Sequence, residues 1–277
     1  MDGRVATLRS MHKQQPKYRW NLTDKQLRLL NIVAIFRFVT TDILAEMYEK
    51  DRSTFYERLT VLEKQGYLQK HYDSAYRIDR RPASYCLAPL GIRALKGSSY
   101  VTAGSLLQNY KNKQYTRAQI DDCLQLVKLA AYFKKQYNKH FTIATKYQLD
   151  REKLPRPTPL LRVSGKTNEI PDYLVDIVPA GTPTWQVKRR LTEHEVMADE
   201  SQYTYPHIIF VAGNINTEKR IIDFTGELYD DFKVFTTTLE RLVQATSDRV
   251  FIDPEQVLDL DDDEAPSLVA LPQEFTD

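Results

Sequence analysis

The chain lacks the residues that mark several large function classes. It holds 2 cysteines and 9 glycines in 277 residues, and no hydrophobic run approaches the roughly 18 apolar residues of a membrane span. Cys86 and Cys123 stand far apart, without CxxC or Cys/His spacing. That excludes a disulfide scaffold and a zinc module, and it suits a reducing cytoplasm. No GxGxxG or Walker loop occurs, so a phosphate-cradling nucleotide site is excluded, as is a GxSxG nucleophile elbow. The 5 histidines never form HExxH, and His194, between Glu193 and Glu195, reads as a helix-surface residue. The first 20 residues carry Arg4, Arg9, Lys13, Lys17 and Arg19 but no apolar segment, which does not match a secretory signal.

Charge is present, and it is partitioned. The net charge of +2 divides into 18 basic against 10 acidic residues over 1–100, 21 against 18 over 101–250, and none against 9 over 251–277. A basic N-terminal third is the electrostatic footprint of a nucleic-acid binder, because neutralising phosphates releases counterions. The acidic end, with its run Asp259 to Glu264, reads as a disordered tail. It reads first as a solubilising tail; the alternatives are that it masks the basic surface or docks a protein partner through Leu268, Val269 and Leu271.

Residues 22–97 predict a compact DNA-binding module. Thr23 caps a helix whose apolar positions Leu27, Leu30, Val33 and Ile35 keep helical spacing. Thr41 or Asp42 caps a second, short helix. A third begins at the cap-rich run Asp51 to Thr54 and stops at Gly66. In this third helix Phe55, Leu59 and Leu62 form one stripe, while Ser53, Tyr56, Glu57, Thr60 and Lys64 point the other way. Tyr67–His71 and Ala83–Leu87 read as strands around a polar loop with Arg77, Arg80 and Arg81. Three helices followed by a two-stranded hairpin is the winged helix-turn-helix order. Such a fold places a helix in the major groove and the hairpin loop on the backbone or in a minor groove. The expected contacts to double-stranded DNA are Ser53, Tyr56, Thr60, Lys64, Arg77, Arg80 and Arg81.

Residues 98–115 read as a linker and residues 116–250 as a second, α/β domain. Thr116 caps a long amphipathic helix, and Phe141–Thr145 reads as a strand. Pro171–Val178 and Thr184–Leu191 both alternate, which predicts a hairpin turned by Pro179 to Pro183. A helix over 193–202, a strand over 207–211, a helix over 218–229 and a strand over 233–236 follow.

On the expected hairpin, Asp172, Gln186 and Lys188 resemble the PD-(D/E)XK nuclease motif in a PD…QXK form. That resemblance implies Asp172 and Gln186 as ligands of Mg²⁺ or Mn²⁺, with Lys188 orienting the attacking water as a third catalytic residue. The upstream acid usual in such enzymes has four unranked candidates, Asp121, Asp122, Asp150 and Glu152. The combination, with pieces such as "LEKQGYLQK" and "YCLAPLGIRAL", is similar to the replication-relaxation family of bacterial plasmids, phages and integrative elements. The expected fold class is therefore α+β: a basic arm over 1–21, a winged helix over 22–97, a linker, a restriction-endonuclease-like domain over 116–250, and an acidic tail over 251–277. The implied function is cytoplasmic DNA processing or replication control by a mobile-element protein, with the enzymatic step left open. The alternatives are a non-enzymatic regulator whose second domain mediates assembly, and a protein-interaction module.

Overall fold

The structure is a computed structural model. It describes residues 22–96, 98, 106–137, 140–149, 160–167, 170–200, 205–225, 232–258 and 266–271. The basic arm, Asp150, Glu152 and the acidic run Asp259 to Glu264 lie outside the described residues.

Helix α1 (Asp24–Phe36) starts at a capping box, in which the Thr23 hydroxyl accepts from the Gln26 amide and the Gln26 side chain accepts from the Thr23 amide. Strand β1 (Val39–Thr40) leads into α2 (Thr41–Tyr48), whose N-cap is Thr40, one residue before the expected cap. Helix α3 (Arg52–Lys64) buries Phe55, Leu59 and Leu62, the stripe its spacing predicts. It ends before Gly66, whose φ of 80° lies in the left-handed region that a side chain resists. Strands β2 (Leu68–His71) and β3 (Ser84–Leu87) pair antiparallel, with Leu68 opposite Leu87. β1 joins on the far side of β3, so the sheet order is β1-β3-β2. Between β2 and β3 the loop forms a short helix α4 (Ser74–Ile78), and α5 (Pro89–Lys96) closes the unit. The order α1-β1-α2-α3-β2-β3, with this three-stranded sheet, is a winged helix.

The second unit opens with α6 (Arg117–Tyr137), capped reciprocally by Thr116 and Gln119. Its mixed sheet runs β4 (Phe141–Thr145), β5 (Leu161–Gly165), β6 (Tyr173–Val178), β7 (His207–Ala212) and β8 (Val234–Thr238), in spatial order β4-β5-β6-β7-β8. The first three strands are antiparallel and the last three parallel. The parallel steps need crossovers, which α7 (Thr184–Asp199) and α8 (Ile215–Thr225) supply. Short helices α9 (Leu239–Gln244) and α10 (Pro254–Leu258) follow.

This architecture corrects the expected hairpin. Residues 184–191 are the first half of helix α7, not a strand. Their period-two alternation coincides with a helical stripe, because Val187, Leu191 and His194 are all buried at steps of four and three. Trp185, inward-facing in a strand, is instead 60% exposed. No strand could pair there either, since β6 already has β5 on one edge and β7 on the other. β5 was not foreseen, although Leu161 and Val163 alternate with Arg162 and Ser164 and are fully buried.

The two units share a core. Leu30, Val33, Leu44 and Leu59 of the winged helix belong to the same apolar cluster as Leu126, Phe133, Val175 and Phe251. The stretch expected as a linker carries a 3₁₀ helix, Gln108–Gln114, with Asn109 and Asn112 buried. Asn112 Oδ1 accepts from Arg37 Nε at 2.9 Å and Nη2 at 2.6 Å, and the guanidinium lies 4.4 Å from the Tyr115 ring centroid. Arg37 is itself 3% exposed, so this charge-assisted contact locks the 3₁₀ helix to the end of α1.

The C-terminal segment also docks on its own chain. Phe251 pairs with Val269, and the Leu271 amide donates to the Tyr137 hydroxyl at 3.4 Å. Leu271 is 2% exposed, so it packs within its own core and is not free to dock a partner.

Candidate nucleic-acid interface

The outward face of α3 follows from its inward one. With Phe55, Leu59 and Leu62 held against the core, Ser53, Tyr56 and Lys64 are exposed and Thr60 is half-buried. Tyr56 is 52% exposed and presents its ring and hydroxyl on this face. Thr60 is partly engaged, because its hydroxyl hydrogen-bonds the phenol of Tyr85, whose pKa burial pushes upward. Arg52, Arg58 and Val61 share the exposed surface and were not singled out from the sequence. Arg52 is bound to Asp42 at 2.5 Å, so it is not a free cation.

The wing separates its arginines into two kinds. Arg77 and Arg80 are exposed and form no ion pair among the described residues. Arg81 Nη1 reaches both carboxylate oxygens of Asp121 on α6, each at 2.8 Å. Asp79, beside them, pairs with Arg117 of the same helix. Alternate side chains therefore clamp the loop to the second unit while their neighbours stay free. Asp73 supplies the local order, accepting from the Tyr76 amide at 3.0 Å to start α4.

The expected metal centre is not brought together. Asp172 precedes the first residue of β6, whereas Gln186 and Lys188 lie in the opening turns of α7, beyond the other end of that strand. The six-residue strand β6, about 20 Å long at the usual rise per residue, lies between them in the chain. The Asp172 carboxylate is already satisfied by Arg162 at 2.5 and 3.0 Å, Ser164 Oγ at 3.3 Å and the Gly165 amide at 3.0 Å. Lys188 is exposed and Gln186 half-buried. Among the described residues no group of three His, Cys, Asp or Glu side chains could hold a metal. These residues do not fit Mg²⁺ or Mn²⁺. Of the upstream acids, Asp121 is committed to Arg81.

A different polar cluster occupies the seam between β6 and α7. Asp176, 4% exposed, accepts from Arg190 at 2.6 Å, and Arg190 also donates to the Ile177 carbonyl at 2.8 Å. Burial pushes the Asp176 carboxyl up to about 6, with Arg190 pulling the other way. His194, expected on the surface, is 2% exposed and bonded through Nδ1 to the Tyr205 hydroxyl at 3.0 Å. Burial lowers its imidazole to about 3, and the Arg190 charge adds to that. With Asp176 enclosed and the half-buried Arg190 paired to it, this cluster ties α7 to β6.

No protein-family model matches the chain, and no curated protein does. Solved structures do show partial likeness. A mutant of Escherichia coli MarR, crystallised with operator DNA, is 17% identical over 42% of this chain and 75% of its own, at a TM-score of 0.26. The adhesin competence repressor AdcR of Streptococcus pyogenes is 18% identical over 40% of this chain and 80% of its own, at 0.25. A mutant of Lactococcus lactis ZitR is 15% identical over 44% and 80%, again at 0.25. At such scores the winged helix rests on the strand pairing and helix order described above. No helix among the described residues is long and apolar enough to cross a membrane.

Proposed function

We propose that the protein binds duplex DNA through its winged helix, with α3 in the major groove and Arg77 and Arg80 on the flanking backbone or minor groove. The observation that carries this reading is the exposed set Tyr56, Lys64, Arg77 and Arg80, whose three cations form no ion pair among the described residues, on a helix and wing packed against the core. A cation without a protein partner keeps its full attraction for phosphate, whereas one already paired has spent much of it. The second unit acts as a frame that fixes the wing through Asp121 and Arg117. Metal-dependent hydrolysis is not part of this reading, because Asp172 is engaged by Arg162, Ser164 and Gly165 on β5 while Gln186 and Lys188 stand on α7.

The test is a binding titration against salt with mixed-sequence duplex DNA. The double variant Arg77→Ala/Arg80→Ala should flatten the slope of log K against log salt by about 2 and weaken binding about tenfold or more at low salt. Unchanged slope and affinity, or a wild-type protein that ignores DNA at low ionic strength, would remove the proposal.

A further inference from the structure

Between α2, the wing and α6 lies a cleft of about 510 Å³, within the size range of small-molecule sites. It is separate from the outward face of α3. Its charged lining is only partly self-satisfied. Arg81 and Asp121 pair with each other, and Asp42 pairs with Arg52. Glu46 of α2 and Lys128 of α6 both line the cleft, are exposed, and form no ion pair among the described residues, with each other or with any third group. Opposite charges that share a cleft without touching leave room for a molecule that answers both.

A second observation points the same way. Tyr76 forms part of the wall, is 5% exposed, and its hydroxyl is buried without a hydrogen-bond partner among the described residues. That hydroxyl lies within electrostatic reach of Arg81. A buried donor left unsatisfied has given up its hydrogen bond to water, and a ligand that supplied the partner would recover part of that loss. The remaining wall is apolar, from Ile43, Leu124 and Pro82.

We infer that this cleft is a binding site for a small zwitterion of the α-amino-acid type with an apolar side chain. Its ammonium faces Glu46, its carboxylate faces Lys128 and accepts from Tyr76, and its side chain lies on Ile43, Leu124 and Pro82. Neither an organic anion nor an organic cation alone answers both unpaired charges. The occupant would rest against Arg81 and Asp121, the pair that clamps the wing.

The experiment is calorimetric titration of the full chain with L-leucine, L-methionine and L-phenylalanine. Single-charge analogues, 2-phenylethylamine and 3-phenylpropanoate, run in parallel. At least one amino acid should bind saturably, and the analogue of matching side chain should bind at least tenfold more weakly. Glu46→Gln and Lys128→Met are surface changes that leave the fold intact; each should weaken amino-acid binding at least fivefold. Glu46→Gln should also erase the advantage of phenylalanine over 3-phenylpropanoate, and Lys128→Met its advantage over 2-phenylethylamine. Tyr76→Phe should weaken binding severalfold. No saturable amino-acid binding up to about 10 mM, equal binding of a single-charge analogue, or affinity indifferent to both variants would each overturn the inference.

Discussion

The wing and the β6–α7 seam both carry arginines beside acids, and the two regions use them in opposite ways. In the wing the pairs sit in water: Arg81 and Asp121 keep 41% and 36% of their side-chain surface exposed. In the seam Arg190 and Asp176 keep 18% and 6%. Exposed pairs contribute roughly 0–1 kcal/mol, whereas opening a buried one strands a charge at a cost of about 3–5 kcal/mol. The wing's Arg77 and Arg80, which form no ion pair among the described residues, are therefore open to phosphate, and the seam's paired Arg190 is not. Burial, more than residue type, divides recognition from scaffold.

The largest effect should come from breaking the seam. Arg190→Ala should cost about 3–5 kcal/mol of unfolding free energy by denaturant titration, while Arg81→Ala should cost no more than about 1 kcal/mol. Equal losses at both positions would erase the distinction.

Next comes a pH signature confined to the seam. His194 has a folded pKa of about 3, below its unfolded value near 6.5, so the unfolded chain takes up the proton first. Its contribution is present above pH 6.5 and is lost as pH falls towards 3, at about 1.4 kcal/mol per unit. Asp176 runs the other way, because a carboxyl raised to about 6 contributes stability below pH 3.8 that is lost as pH rises through 6. Between pH 6 and 4 the two offset each other. His194→Phe removes one side of that balance, so the variant should gain on the wild type by about 1.4 kcal/mol for each unit below pH 6.5. Parallel stability curves for the two proteins would show that His194 is not held neutral.

The smallest effect should be at Lys188. It is exposed on α7, far along the strand from Asp172, so Lys188→Ala should leave both DNA affinity and the integrity of supercoiled DNA with Mg²⁺ or Mn²⁺ unchanged. Nicking by the wild type that vanishes in Lys188→Ala would restore the hydrolytic reading.

The winged helix was legible because its signals are local. Thr23 with Gln26, the stripe Phe55–Leu59–Leu62 and the stop at Gly66 each act within a few residues, where periodicity and capping decide the backbone. The second unit was less legible for a stated reason. Over eight residues from Thr184, alternation fits both a strand and one side of a helix, and only the full stripe continuing to His194 separates them. The Pro-Asp and Gln-x-Lys spacing then suggested a shared site that chain direction alone forbids.

What the sequence determined by itself was α1, α2, α3, β2 and β3, but not β1 or α4, together with the outward face of α3, since these follow from side-chain periods along one element. What only the tertiary structure decided was which charges remain free. Asp121 takes Arg81, Arg162 takes Asp172, Arg190 takes Asp176, and the partners lie 40, 10 and 14 residues apart. Charge pairing depends on distance in space and on the water left between the groups, and neither is written in the order of the residues.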